Sequence, residues 1–377
     1  MIRILFLAAA LVFPGARAAG QPVQDVQYQP SLARDDGQFV LVEGCITAVE
    51  VKPGSNWVRA MTLKVTHVFA GAKHAKVGQV LTDERWQPAE RWHDGKEYKP
   101  GRSGIWVFST SEKTMTSFRR YLDDGSDRFR AYTAWARTIE KLAPFSSADR
   151  VSAAKSLCSD DSEWLAELGV QVLATVPNYD DEADGAHRFV RTLAASPTAT
   201  LPALIEADRQ FLFRDGELWI KSEDRKRLLK RFTARHTDKG GRAVCNYLVY
   251  VSQGGYQKIP PDQAIQILSE MQRAEGQPTA VRKDAISATA GIAYRDHVLD
   301  PAFNLFAEVL DSPADSSLRI HAASGLVSLT GPPNKYCKDV PKPKLTASQI
   351  ATLRKAAAGE KDTAVAKLLR EAIAALP

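Results

Sequence analysis

The sequence predicts a multidomain α and β protein: a small antiparallel β barrel or sandwich, followed by an α-α superhelical repeat domain. Three observations carry that expectation. Short runs rich in Val, Ile and Thr, separated by Gly/Pro turns, occupy residues 38–115. A helix-pair pattern is written three times between residues 260 and 376. Apolar content of 44% and charged content of 25% are ordinary globular values, and 377 residues leave room for two domains.

The first twenty residues, MIRILFLAAALVFPGARAAG, place Arg3 before an apolar run from Ile4 to Phe13, then a Pro14–Gly15 breaker and a small-x-small site at Ala16-Arg17-Ala18. That is the layout of a signal peptide over residues 1–18, with cleavage expected after Ala18 and Ala19 as runner-up. The run is too short to span a bilayer as a permanent helix. A buried N-terminal strand is the alternative. Export to the periplasm or beyond the cell is the resulting expectation. Losing Arg3 and Arg17 lowers the formal charge from +6 to +4. Such modest positivity favours an acidic partner or surface and does not specify nucleic acid.

Residues 19–37 are a polar lead-in with Pro22 and Pro30. Strand writing follows. FVLVEGCITAVEV (39–51) carries a bulge position at Glu43–Gly44, and WVRAMTLKVTHVFAG (57–71) alternates through Met61, Leu63, Val65 and, past His67, Val68. A short strand at 79–82 and a last one, GIWVFST (104–110), complete the set. The VEG-x-I, HVF-x-G, K-x-GQV and WVF runs together resemble the OB-like barrels of secreted netrin-like and inhibitor-like modules over residues 39–110. That resemblance implies an inhibitor-type module.

Residues 116–143 read as a connecting helical segment, with helical writing from Phe118 and a break at DDGS (123–126). DDGSD has the residue types of a calcium loop but lacks its twelve-residue spacing and terminal Glu, so a solvated turn is expected.

Residues 144–377 form the expected repeat domain. In its clearest copy, DPAFNLFAEVLDS (300–312) shows Phe303, Leu305, Phe306, Val309 and Leu310 on one stripe, and SSLRIHAASGLVSL (316–329) shows Leu318, Ile320, Ala322, Ala323, Leu326, Val327 and Leu329. Neither helix can bury such a stripe alone, so neighbouring pairs must supply the contact. PDQAIQILSEMQRA with AVRKDAISATAGIA precedes this copy, and TASQIATLRKAAAG with DTAVAKLLREAIAAL follows it. Arg282 and Arg319 stand 37 residues apart, as do Ala285 and Ala322, and Arg150 opens a fainter copy upstream. The series resembles HEAT repeats, with large apolar residues in the first helix and an arginine followed by small residues opening the second. A plain helical bundle is the competing architecture. HEAT-type arrays commonly present a surface to protein partners, so the resemblance implies interaction and transfers no catalytic residue.

No nucleophile elbow, metal-binding helix motif, P-loop or dinucleotide fingerprint is present. The seven histidines are scattered, and no cofactor, metal site or catalytic residue is expected. The surface candidate is the loop at 84–104, where Trp86, Trp92 and Tyr98 interleave with Arg91 and Arg102. Aromatics beside arginines suit interface hot spots or sugar contacts, or those rings roof a small core. Four cysteines allow three fully paired connectivities. Cys245 with Cys337 is a candidate disulfide, and separate thiols are the alternative.

The functional expectation is an exported, non-enzymatic scaffold or binding protein whose helical surface contacts a protein or envelope partner. A divergent hydrolase or protease-inhibitor-type module in the β domain is the rival. Cell-wall glycan binding through loop 84–104 is a third reading.

Overall fold

A computed structural model describes residues 39–51, 58–83, 98–111, 114–174, 185–186, 188–190, 192–193, 196, 198–212, 228–252, 259–296, 298–312, 315–330 and 344–376. They fall into two compact units that divide between Asp224 and Arg225.

In the first unit, the β-branched runs form β1 (Phe39–Val51), β2 (Val58–Ala70), β3 (Val80–Asp83), β4 (Ser103–Ser111) and β5 (Thr114–Leu122). They pair antiparallel in the order β3-β2-β1-β4-β5. No ladder joins β3 to β5 among the described residues, although the two edges come within 8 Å. Over the described residues the sheet is thus curled, with its two edges close but not joined. Four register shifts along β1 and β2, at Leu41/Val42, Glu43/Gly44, Ile46/Ala48 and Glu50/Val51, supply the bending.

One of those shifts decides which way side chains point. Gly44 pairs with Val65 and Glu43 with His67, so Thr66 is the extra residue. Past it, Val68 joins the core of Val40, Val42, Ile46, Met61, Leu63, Val65, Trp106 and Phe108. His67 turns to the other face, where its Nε2 lies 3.0 Å from Glu140 Oε1. A one-residue slip reverses every side chain after it.

Gly44 and Gly104 face each other across β1 and β4. A Cβ on Gly104 would sit 2.4 Å from the Tyr121 backbone oxygen, so only glycine permits this strand spacing. Gly104→Ala is expected to cost about 1–3 kcal/mol through forced strand displacement. Urea unfolding read by tryptophan fluorescence would show a lower midpoint, and an unchanged midpoint would contradict the close packing.

Helix α1 (Asp127–Leu142) begins where Ser126 Oγ accepts the Phe129 N–H at 3.1 Å. Tyr132, Trp135, Ala136, Ile139 and Leu142 form its buried stripe. The helical reading from Phe118 is corrected here: residues 118–122 belong to β5, and the helix starts at Asp127. Ladder pairing with β4 outweighs the local helical pattern. The DDGS residues make a turn in which Asp123 Oδ1 accepts the Gly125 N–H at 3.0 Å.

Helices α2 (Ser147–Leu157), α3 (Glu163–Ala174) and α4 (Leu201–Leu212) pack in succession. Gly169 lets α3 approach α2, since a Cβ there would lie 2.6 Å from Ala154 O. Arg150 in α2 donates from Nε to Leu142 O at 3.3 Å and from Nη2 to Phe145 O at 2.9 Å, capping the carbonyl end of α1.

The second unit holds α5 (Asp238–Val251), α6 (Pro261–Arg273), α7 (Thr279–Asp296), α8 (Leu299–Asp311), α9 (Ser316–Thr330), α10 (Ala347–Gly359) and α11 (Thr363–Ala374). Their contacts follow a regular progression. Helices α5, α7, α9 and α11 stack side by side in one layer, and α6, α8 and α10 in the other. Pairs α6/α7, α8/α9 and α10/α11 bridge the layers. This is stacked, repeat-like packing. Each fully buried Leu, Ile, Phe or Met contributes about 1.5–3 kcal/mol.

Candidate functional site

The described part of loop 84–104 is stitched to the sheet. Tyr98 is 7% exposed and belongs to the sheet's apolar core. Arg102 donates from Nη2 to Asp123 O at 2.9 Å, while its own carbonyl accepts the Ile46 N–H at 2.8 Å. Trp86, Arg91 and Trp92 lie outside the described residues, so the structure brings together only the C-terminal end of that set. Cys337 also lies outside them, and its candidate partner Cys245 is a fully buried thiol.

Burial pushes the Cys158 thiol up to about 12, and burial pushes Cys245 well above the usual thiol range. Cys45 is only half-buried, its Sγ 3.7 Å from the Ile46 carbonyl oxygen. A thiol reagent at neutral pH is therefore expected to modify Cys45 well before Cys158 or Cys245, which react on unfolding. Peptide mapping would show this, and equal labelling of all three in the native protein would contradict it.

The helical layers of the second unit are a separate candidate surface. Successive pairs are tied by polar clips as well as apolar contact. On the α6–α8–α10 layer, Arg273 holds Glu308 from Nε at 2.7 Å, and Gln349 Nε2 donates to Asp300 at 2.9 Å. On the other layer, Arg242 Nε reaches Asp284 at 3.2 Å. Arg319 Nη1 reaches both Glu360 oxygens at 2.8 and 2.9 Å. The Arg273 hydrogen bond holds the Glu308 carboxyl below the ordinary range, and bonds from Ser316 and from the Val365 and Ala364 N–H groups do the same for Asp362.

The repeated arginines diverge in role. Arg282 Nε donates to Gln272 O at 3.0 Å, closing the carbonyl end of α6 as Arg150 closes α1. Arg319 turns instead to the following pair through Glu360. His321 is a packed residue: its ring Nδ1 lies 2.8 Å from Ser317 O, and burial lowers its imidazole below the usual value.

No group of three His, Cys, Asp or Glu side chains converges on a cation position among the described residues. No helix among them is long and apolar enough to cross a membrane. Among the described residues, the exposed large hydrophobics are Val77, Val80 and Phe145, all in the first unit. What sequence reading missed is a partition of charge. The outward positions of α6 and α8 are acidic and those of α10 and α11 basic. Sorting charges by helix face, once the stripes were drawn, is the signal that finds it.

No family model and no curated protein matches the chain. Among solved structures it is similar to the crystal structure of an engineered protein, at 16% identity and a TM-score of 0.19, with 67% of this chain and 94% of that chain covered. A likeness of that size carries no argument about fold or function.

Proposed function

We propose that the chain is an exported, non-enzymatic scaffold whose stacked helical surface contacts a protein or envelope partner. The observation that carries this reading is the two-layer progression α5–α7–α9–α11 over α6–α8–α10. Such an array is rigid, laterally extended and modular, so its outward side chains hold fixed spacing while the apolar interior is filled by the helices themselves. Export draws support from the signal-like first eighteen residues.

The test places photo-crosslinking residues singly at exposed Gln263 on α6, exposed Asn304 on α8, exposed Ala351 on α10 and exposed Val80 on β3. The chain from Ala19 onward is then exposed to native envelope. The scaffold reading expects a discrete adduct from one or more helical positions. Adducts from Val80 alone, with none from the helices, would transfer the binding role to the sheet and overturn the reading.

A further inference from the structure

The last helix pair is strongly one-signed. Among residues 344–376, Lys344, Arg354, Lys355, Lys361, Lys367 and Arg370 are all exposed, against a single exposed carboxylate, Glu371. The other two acids are already engaged. Glu360, with 4% side-chain exposure, holds Arg319, and Asp362 caps α11 and meets Ser316. On α11, Lys367 and Arg370 share the face opposite buried Val365, Leu369 and Ala372. On α10, Arg354 and Lys355 lie on the exposed side, and Leu353 is the one buried residue. Among the described residues, α8 and α9 are the helices that pack most closely on this pair. The outward positions of α6 and α8 have the opposite sign. Asp262, Glu270, Asp300, Glu308 and Asp311 are exposed there, and the exposed cation, Arg273, is bound to Glu308.

We infer that this end of the array docks peripherally on a bilayer rich in anionic phospholipid, with the α10–α11 cations against the headgroup phosphates. The inference deepens the envelope-contact reading above and rests on it. Stable protein interfaces centre on aromatic and large aliphatic anchors. Residues 344–376 contain no Trp, Tyr or Phe, and the exposed large hydrophobics lie elsewhere. A carpet of identical phosphates needs no such anchor; it needs several cations displayed together. Lacking an apolar wedge, the contact is electrostatic and reversed by salt. The acidic α6 and α8 faces are repelled by the same surface, which turns the array so that its basic end lands first.

The chain from Ala19 onward is sedimented with vesicles of pure phosphatidylcholine, or with roughly one third phosphatidylglycerol, at low and high salt. Binding to the anionic vesicles at least about tenfold above the neutral ones, lost in high salt, is the expected result. The combined change Arg354→Glu, Lys355→Glu, Lys367→Glu and Arg370→Glu should abolish it, with circular dichroism verifying the fold. Glu371→Lys, a single surface change, should strengthen it about two- to fivefold and remains informative if the reversal variant misfolds. Equal binding to both vesicles, persistence in high salt, or indifference to both variants would overturn the inference. Should vesicles fail while a helical crosslinker still traps a protein, or should an acidic protein compete the vesicles away, membrane docking falls and the scaffold reading stands.

Discussion

Replacing Phe306 with alanine is expected to destabilise the helical unit by about 3–5 kcal/mol. Phe306 is 0% exposed on α8, and its ring fills the space left by Gly325 on α9. A Cβ built on Gly325 would lie only 2.9 Å from the ring Cζ. Glycine cannot extend into the vacated volume, so the cavity persists and the lost dispersion contacts are not recovered. All seven tryptophans lie at or before Trp219, so loss of the helical unit is read by far-UV circular dichroism in urea, not by their fluorescence. Adding Gly325→Ala to the variant places a methyl where the ring stood. It should recover roughly 0.5–1 kcal/mol, although the same change alone overpacks the wild type. A Phe306→Ala loss below about 1 kcal/mol would show that α8 and α9 do not interlock there.

The second large effect is expected at Trp135. Its indole is 2% exposed and stacks on Tyr132 at 5.0 Å between centroids. Tyr132 in turn meets Tyr121 of β5 at 3.9 Å and Trp164 of α3 at 5.7 Å. One aromatic cluster therefore joins the sheet edge, α1 and α3. Trp135→Ala should cost about 3–5 kcal/mol, the indole's burial and its ring contacts together. Trp135→Phe keeps a stacked ring and should lose much less. Denaturant unfolding followed by the remaining tryptophans measures both, and equal losses in the two variants would show that ring stacking is irrelevant.

The sequence made some of this legible for a physical reason. The helices at 300–312 and 316–329 were visible because period-3.6 stripes require a partner, and the 37-residue spacing of Arg282 and Arg319 fixed where that partner begins. The strands at 39–51 and 58–70 were visible through β-branched alternation. β5 was not. FRRYL (118–122) has no clean period of two, and its strand state comes from pairing with β4, a long-range contact no local window contains. The His67–Glu140 contact was hidden similarly, because it depends on the single extra residue Thr66. Of the loop candidates, the rings could either face solvent or roof the core, and Tyr98 takes the second course. The charge partition between α6/α8 and α10/α11 was present in the letters, yet it emerges only when buried stripes assign each charge a face.

The most direct test of stepwise stacking is a set of distances along one layer. Spin labels at exposed Gln266 on α6, exposed Asn304 on α8 and exposed Ala351 on α10 are compared in pairs by electron paramagnetic resonance. Side-by-side progression predicts two neighbouring steps of about one helix spacing, roughly 10 Å between axes, and an α6-to-α10 separation near twice that. An α6-to-α10 distance as short as either neighbouring step would mean the helices surround a common centre, and the extended surface proposed for partner contact would not exist.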